Sequence, residues 1–213
     1  MPGKKRRRAS SSRWLAEHES DPYVQRARKE GYRSRAVYKL DEMHKKLQLF
    51  HRGMSVVDLG AAPGAWSQYA AKKIKNGKIV AIDLLDMEPL GKVDFIQGDL
   101  LDETVRSALK ARLTSGADLV LSDIAPNMSG VPSVDQARVV GLAEMALQFA
   151  VEVLNPGGNL LIKVFQGEGF EELRKEMGRH FANVSVKKPA ASRGRSRELY
   201  LYASKFRKLD NEP

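Results

Sequence analysis

Apolar positions along the chain change their period, and those changes outline the fold before any single residue is considered. From Ser34, the segment SRAVYKLDEMHKKL places Ala36, Leu40, Met43 and Leu47 at helical spacing with Ser34 as cap, which predicts an amphipathic helix leaning on a core. After Arg52-Gly53, short apolar runs alternate with helical patterns. Strands are predicted at 54–59, 78–82, 93–96, 117–121, 159–165, 184–187 and 198–203, and helices at 66–74, 103–113, 135–154 and 170–180. In the longest helix Val139, Leu142, Ala143, Ala146, Leu147 and Ala150 form one stripe, and Pro156-Gly157-Gly158 stops it. The run at 159–165 is apolar almost throughout, as a central strand must be. This alternation implies an α/β fold with a mostly parallel sheet covered by helices on both faces. The last two strands, joined by a loop without a helix, should form a hairpin at the sheet edge.

The 213 residues suit one domain with an arm. The expected organisation is a mobile basic tail at 1–12, an N-terminal helical arm at 13–52, the sheet domain at 53–208 and a short tail at 209–213. No apolar stretch reaches the roughly 18 to 20 residues that cross a bilayer, and the N-terminus lacks a secretory apolar segment. A soluble, cytoplasmic, monomeric protein without a membrane partner is therefore expected. Cysteine is absent, which removes disulfides, thiolate metal sites and a cysteine nucleophile. His18, His44, His51 and His180 are scattered, so no bound metal is expected.

The formal charge of +10 is unevenly placed. Residues 1–52 hold 15 Lys and Arg against 6 Asp and Glu, residues 53–186 hold 13 against 17, and residues 187–208 hold 8 against 1. Two basic ends flank an acidic middle. A polyanion such as RNA would engage the ends by phosphate neutralisation, with Lys4 to Arg8 and Arg193 to Arg197 as the densest runs. The acidic middle suits a cationic or small ligand.

The first predicted strand ends in Asp58-Leu-Gly-Ala-Ala-Pro-Gly-Ala-Trp66. A dinucleotide fingerprint from Gly60 needs glycines where Ala62 and Ala65 stand, and no phosphate-loop run G-x-x-x-x-G-K-[ST] exists. What remains is a glycine bend for a ligand lacking phosphates. Asp83, Asp99 and Asp123 then follow successive strands, and ligands of open parallel sheets sit beyond those carboxyl ends. Carboxylates around one crevice disfavour an anion and favour a cation bearing hydroxyls and an amine, which describes S-adenosylmethionine. Asp83 lies where ribose hydroxyls are accepted, Asp99 suits an adenine amine, and Trp66 is expected to be part core and part pocket wall.

Lys163 interrupts Leu160-Leu-Ile-Lys-Val-Phe165, and lysine is almost never buried without a partner. A strand end facing the crevice, with Asp123 as ion partner, accounts for it. Asp123 opens Asp-Ile-Ala-Pro-Asn127, without the aromatic residue that clamps a flat amine in amino-methylating enzymes. Pyrimidine carbon methylation usually needs cysteine, so oxygen is the remaining acceptor.

Together the segments SSSRWL, SRAVYKLDE, VVDLGAAPGAWSQY, DFIQGD, SDIAPNMSG, KVFQGEGF and SRGRSRELY resemble the FtsJ family of RNA ribose 2′-O-methyltransferases, from about Ser10 to Ala203. The resemblance implies a Rossmann-like class I methyltransferase with a seven-stranded sheet, an antiparallel last strand and S-adenosylmethionine as donor. It implies a catalytic group of Lys39, Asp123, Lys163 and Glu198, and a donor pocket at Gly64, Trp66, Asp83, Asp99 and Asp123. Ala65 departs from the glycine that family members commonly carry there. The substrate implied is a uridine in the A-loop of 23S ribosomal RNA, within the large subunit. Transfer RNA or an mRNA cap as acceptor, or a non-catalytic role in ribosome assembly, are the alternatives.

Overall fold

Successive side chains of a strand point to opposite faces, and the first strand, β1 (Ser55–Leu59), shows how this divides the molecule. Val57 and Leu59 enter one apolar core, while Val56 enters another on the opposite face. The computed structural model describes residue 17, residues 19–194 and residues 196–208. The tails expected at 1–12 and 209–213, and Arg195 of the basic run, lie outside the described residues.

β1 is joined by β2 (Lys78–Asp83), β3 (Asp94–Gln97), β4 (Ala117–Ser122), β5 (Leu154–Phe165), β6 (Phe181–Lys187) and β7 (Glu198–Phe206). They form one sheet in the order β3-β2-β1-β4-β5-β7-β6. β7 runs antiparallel to both its neighbours, and the other pairs are parallel. This is the α/β architecture expected from the sequence, and the last two strands form the expected antiparallel hairpin at the sheet edge. β7 inserts between β5 and β6, so β6 forms the edge. The burial along each strand gives the reason: β7 is largely buried, whereas β6 exposes Ala182, Asn183 and Val186.

The helices are α1 (Pro22–Lys29), α2 (Val37–Leu47), α3 (Ala65–Lys73), α4 (Glu103–Arg112), α5 (Pro132–Val153) and α6 (Phe170–His180). α1, α2 and α3 contribute to the core that holds Val56, Leu119, Leu121, Leu161 and Tyr200. α4, α5 and α6 pack against the face carrying Val57, Val80, Val120, Leu160, Ile162 and Leu201. α1 carries start signals in its sequence, since Asp21 Oδ1 accepts from Tyr23 N at 2.9 Å and Pro22 opens the helix. Ser34 is not the cap of α2: its Oγ accepts from Ala36 N at 3.3 Å in a local turn, and the helix begins at Val37. α5 starts three residues before its expected Asp135, because Pro132 suits a first turn and the Asp135 carboxylate reaches back to Ser129 N and Gly130 N at 2.6 and 3.0 Å.

The chain order turns outward in opposite directions from β1 and β4, which leaves a crevice at their carboxyl ends. Gly60, just past β1, has φ +74°, and a Cβ there would meet Ile124 Cγ1 at 2.5 Å. Only glycine lets these two strand ends close up. Among the described residues no helix is long and apolar enough to cross a membrane.

Candidate active site

Lys163 and Tyr200 are register partners across β5 and β7, and Phe165 pairs with Glu198 one step further on. Directly paired residues project from the same face, so Lys163, Glu198 and Tyr200 stand together on the side covered by α2 and α3. Lys163 Nζ donates to Asp123 Oδ1 at 2.9 Å and to the Asp123 carbonyl at 2.7 Å, and its side chain is only 7% exposed. The anomalous lysine therefore has its partner at the end of β4.

Lys39, on α2, meets Glu198 with Nζ 2.7 Å from Oε1 and 2.9 Å from Oε2. Ser192 Oγ donates to the same carboxylate at 2.9 Å. Tyr200 joins the two ion pairs. Its hydroxyl donates to Asp123 Oδ1 at 2.7 Å and lies 3.4 Å from Glu198 Oε1. A phenol has one hydrogen, so the shorter contact holds it. The four residues Lys39, Asp123, Lys163 and Glu198, far apart in sequence, thus form one chain with Tyr200 as its middle link. Sequence reading missed Tyr200, since a tyrosine within the apolar run ELYLYA looks like core.

Burial works to raise the Asp123 carboxyl, but the Lys163 and Lys39 charges and the bonds from Lys163 and Tyr200 outweigh it and hold it below the ordinary aspartate value. Burial, with the charges of Asp123 and Glu198, pushes the Tyr200 phenol well above its usual range, so it remains a donor. Asp58 on β1 behaves oppositely. It is buried, Ser67 Oγ donates to its Oδ2 at 2.6 Å, and Oδ1 has no hydrogen-bond partner among the described residues. Burial pushes its carboxyl up to about 7, against the Ser67 bond and with help from the Asp123 and Asp83 charges.

The residues expected to hold the donor lie at or beyond the carboxyl ends of β1, β2, β3 and β4. Asp83 Oδ2 accepts from Ala62 N at 2.8 Å and Oδ1 from Leu85 N at 2.9 Å, so this carboxylate ties the glycine loop to the turn after β2. Each oxygen keeps a further lone pair. Asp99 is exposed after β3, with Oδ1 accepting from Leu101 N at 2.9 Å. Leu84, Leu85 and Leu101 lie beyond these strand ends with 65%, 68% and 72% exposure, an apolar margin suited to a flat ring. Gly64 has φ +101° and directly precedes α3, where its would-be Cβ meets Met87 Sδ and Arg33 Nη1. The Trp66 ring is core: it is buried, donates from Nε1 to the Ala36 carbonyl at 2.8 Å and packs 5.8 Å from the Tyr200 ring. The pocket-wall half of the expectation for its side chain does not appear, because α2 covers it.

Arg33 is a second residue that sequence reading missed. Its guanidinium donates to the carbonyls of Pro63, Glu88 and Pro89 at 3.1, 2.7 and 3.1 Å, and its backbone N donates to Gln68 Oε1. The arm thereby grips the glycine loop and the loop after β2 together. A concavity of about 800 Å³ lies instead among α4, α5 and α6, and of the residues named above only Leu101 lines it.

An open sheet with a glycine bend, acidic strand ends and a buried lysine beside an aspartate defines a Rossmann-like methyltransferase. The FtsJ-like methyltransferase model matches residues 32–206, and the chain belongs to that family. It is also similar to a crystal structure of a protein from Plasmodium falciparum described as a ribosomal RNA methyltransferase. The two are 31% identical with a TM-score of 0.75, covering 82% of this chain and 98% of that one.

Proposed function

We infer that this protein methylates the ribose 2′-hydroxyl of a uridine in 23S ribosomal RNA, in the A-loop of the large subunit, as an enzyme of the bacterial large-subunit methyltransferase E type. The observation that carries the chemistry is the Lys163–Asp123 pair at the end of β5 and β4, linked through Tyr200 to Glu198 and Lys39. The donor set fits S-adenosylmethionine: it offers carboxylates, an apolar margin and no phosphate cradle. When bound, that group supplies a methyl on a positively charged sulfur.

A ribose hydroxyl is a poor nucleophile until a base takes its proton. Lys163, with two Nζ hydrogens held by the Asp123 carboxylate and carbonyl, turns its remaining Nζ position to the acceptor hydroxyl and takes up the proton as the oxygen receives the methyl and the sulfur keeps its bonding pair. Lys39 is fixed by both Glu198 oxygens and stabilises the Asp123 charge from the far side. Alignment of oxygen, methyl and sulfur supplies much of the acceleration.

Ribosomal RNA as substrate is supported by the Plasmodium structure and by the charge of the ends. Labelled donor offered with large ribosomal subunits from cells lacking this protein, or with transfer RNA, tests it. Labelling of the subunits alone is expected, and labelling of transfer RNA alone overturns the assignment.

A further inference from the structure

Beside the Lys39–Glu198 pair lies a cavity of about 320 Å³ lined by Ser34, Arg35, Lys39, Arg193, Ser196 and Glu198. It shares two walls with the active site and is built from the arm and from the loop before β7. Its charges are unevenly paired. Glu198 is taken by Lys39, and Asp21 is taken by Arg35. Arg35 also donates to the Ala191 carbonyl, which fixes it in the cavity wall. Arg193 reaches only the outer side of Asp21, with Nε 3.9 Å from an oxygen that Arg35 already holds. Three cations thus meet two carboxylates, and among the described residues the Arg193 guanidinium has no ion partner closer than this one. Burial and the neighbouring Arg193 charge both disfavour the charged form of Arg35, with Glu198 acting the other way, so the cluster keeps an excess of positive charge that suits an anion on the open side of Arg193.

We propose that this cavity is a phosphodiester subsite, in which Arg193 and Lys39, with the Ser34 and Ser196 hydroxyls, hold one phosphate of the strand next to the acceptor ribose. The proposal rests on the RNA reading above and adds the residues that set the register. A phosphate on the strand is covalently close to a 2′-hydroxyl, and Glu198 and Lys39 are the shared boundary between this cavity and the reacting end. A planar guanidinium offers paired N–H donors that match two phosphate oxygens, and the two hydroxyls beside it add further donors. Asp21 acts as a positioning residue: it caps α1 and holds Arg35, so that the arm closes one side of the cavity.

The test is the salt dependence of binding to a 12-nucleotide polyuridylate probe, measured by fluorescence anisotropy for the full chain. Arg193→Gln should raise Kd several-fold and lower the slope of log Kd against log salt by about 0.7, the loss of one phosphate contact on a single strand. Arg193→Lys should keep the slope, and Arg174→Gln, on α6 away from the cavity, should leave both quantities unchanged. An unchanged slope in Arg193→Gln, or an equal loss in Arg174→Gln, overturns the subsite. Donor affinity unchanged in Arg193→Gln shows that the fold is intact. Should the wild type fail to methylate large subunits while the slope falls as stated, the reaction assignment fails and the subsite stands. Methylation with an unaltered slope gives the converse.

Discussion

Tyr200 donates its hydroxyl hydrogen to Asp123 at 2.7 Å, and through that bond two ion pairs become one unit. Replacing it by phenylalanine keeps the ring that packs on Trp66 and removes only the link. A hydrogen bond to a charged group is worth roughly 1.5–3 kcal/mol, so Tyr200→Phe should lower kcat by about 10- to 100-fold. Donor Kd from calorimetry should change little, and the melting temperature should fall by several degrees because the same bond is lost from the folded state. Unchanged kcat would remove Tyr200 from the account.

Lys163 should matter to the methyl transfer and not to the donor. Lys163→Met, which keeps the buried stem, should cut kcat by about 100- to 10,000-fold while donor Kd stays within about twofold. Loss of donor binding in step with rate would give Lys163 a different role.

Asp83 and Arg33 should show the opposite split. Asp83 holds Ala62 N and Leu85 N, and Arg33 holds the carbonyls of Pro63, Glu88 and Pro89, so both shape the glycine loop and the loop after β2, where the donor is proposed to bind. Asp83→Ala should raise donor Kd by about 10- to 100-fold, and Arg33→Met, which loses more exposed bonds, by several-fold. Kinetics at saturating donor should recover most of the rate in Arg33→Met. A fall in kcat with unaltered donor KM would contradict this division.

Asp58 gives a prediction in pH. Its carboxyl is raised to about 7 in the folded chain, so between about 4 and 7 the native state binds more protons than the unfolded one. Stability from this group is full below the unfolded value and is lost as pH rises through about 7. Asp58→Asn removes the titration while retaining an oxygen for Ser67. The variant should therefore melt a few degrees above the wild type at pH 8 and lose that advantage near pH 4, as thermal scans across pH will show. A constant difference at all pH values would contradict it.

Much of this was legible in the sequence, for identifiable reasons. A lysine inside an apolar run demands a carboxylate, and the structure puts Asp123 against Lys163. Strand periods are local, so all seven strands could be placed within a few residues. Sheet order is not local: nothing within β6 or β7 says that the last strand inserts between its predecessors. Tyr200 was hidden because an aromatic residue in a strand is ordinarily core, and it is core except for its hydroxyl. Arg33 was hidden among other basic residues of the arm, since its role arises only when two loops distant in sequence turn their carbonyls toward it. α1 buries only Val24 and Ala27, too short a stripe for periodicity to reveal.

The central claim is transfer of methyl to a ribose oxygen. Large subunits labelled by the wild-type protein, digested in alkali and mapped, test it most directly, because strand cleavage needs a free 2′-hydroxyl. Label is expected in an alkali-resistant dinucleotide carrying a methylated uridine ribose. Label recovered on a base, in ordinary mononucleotides, would contradict it.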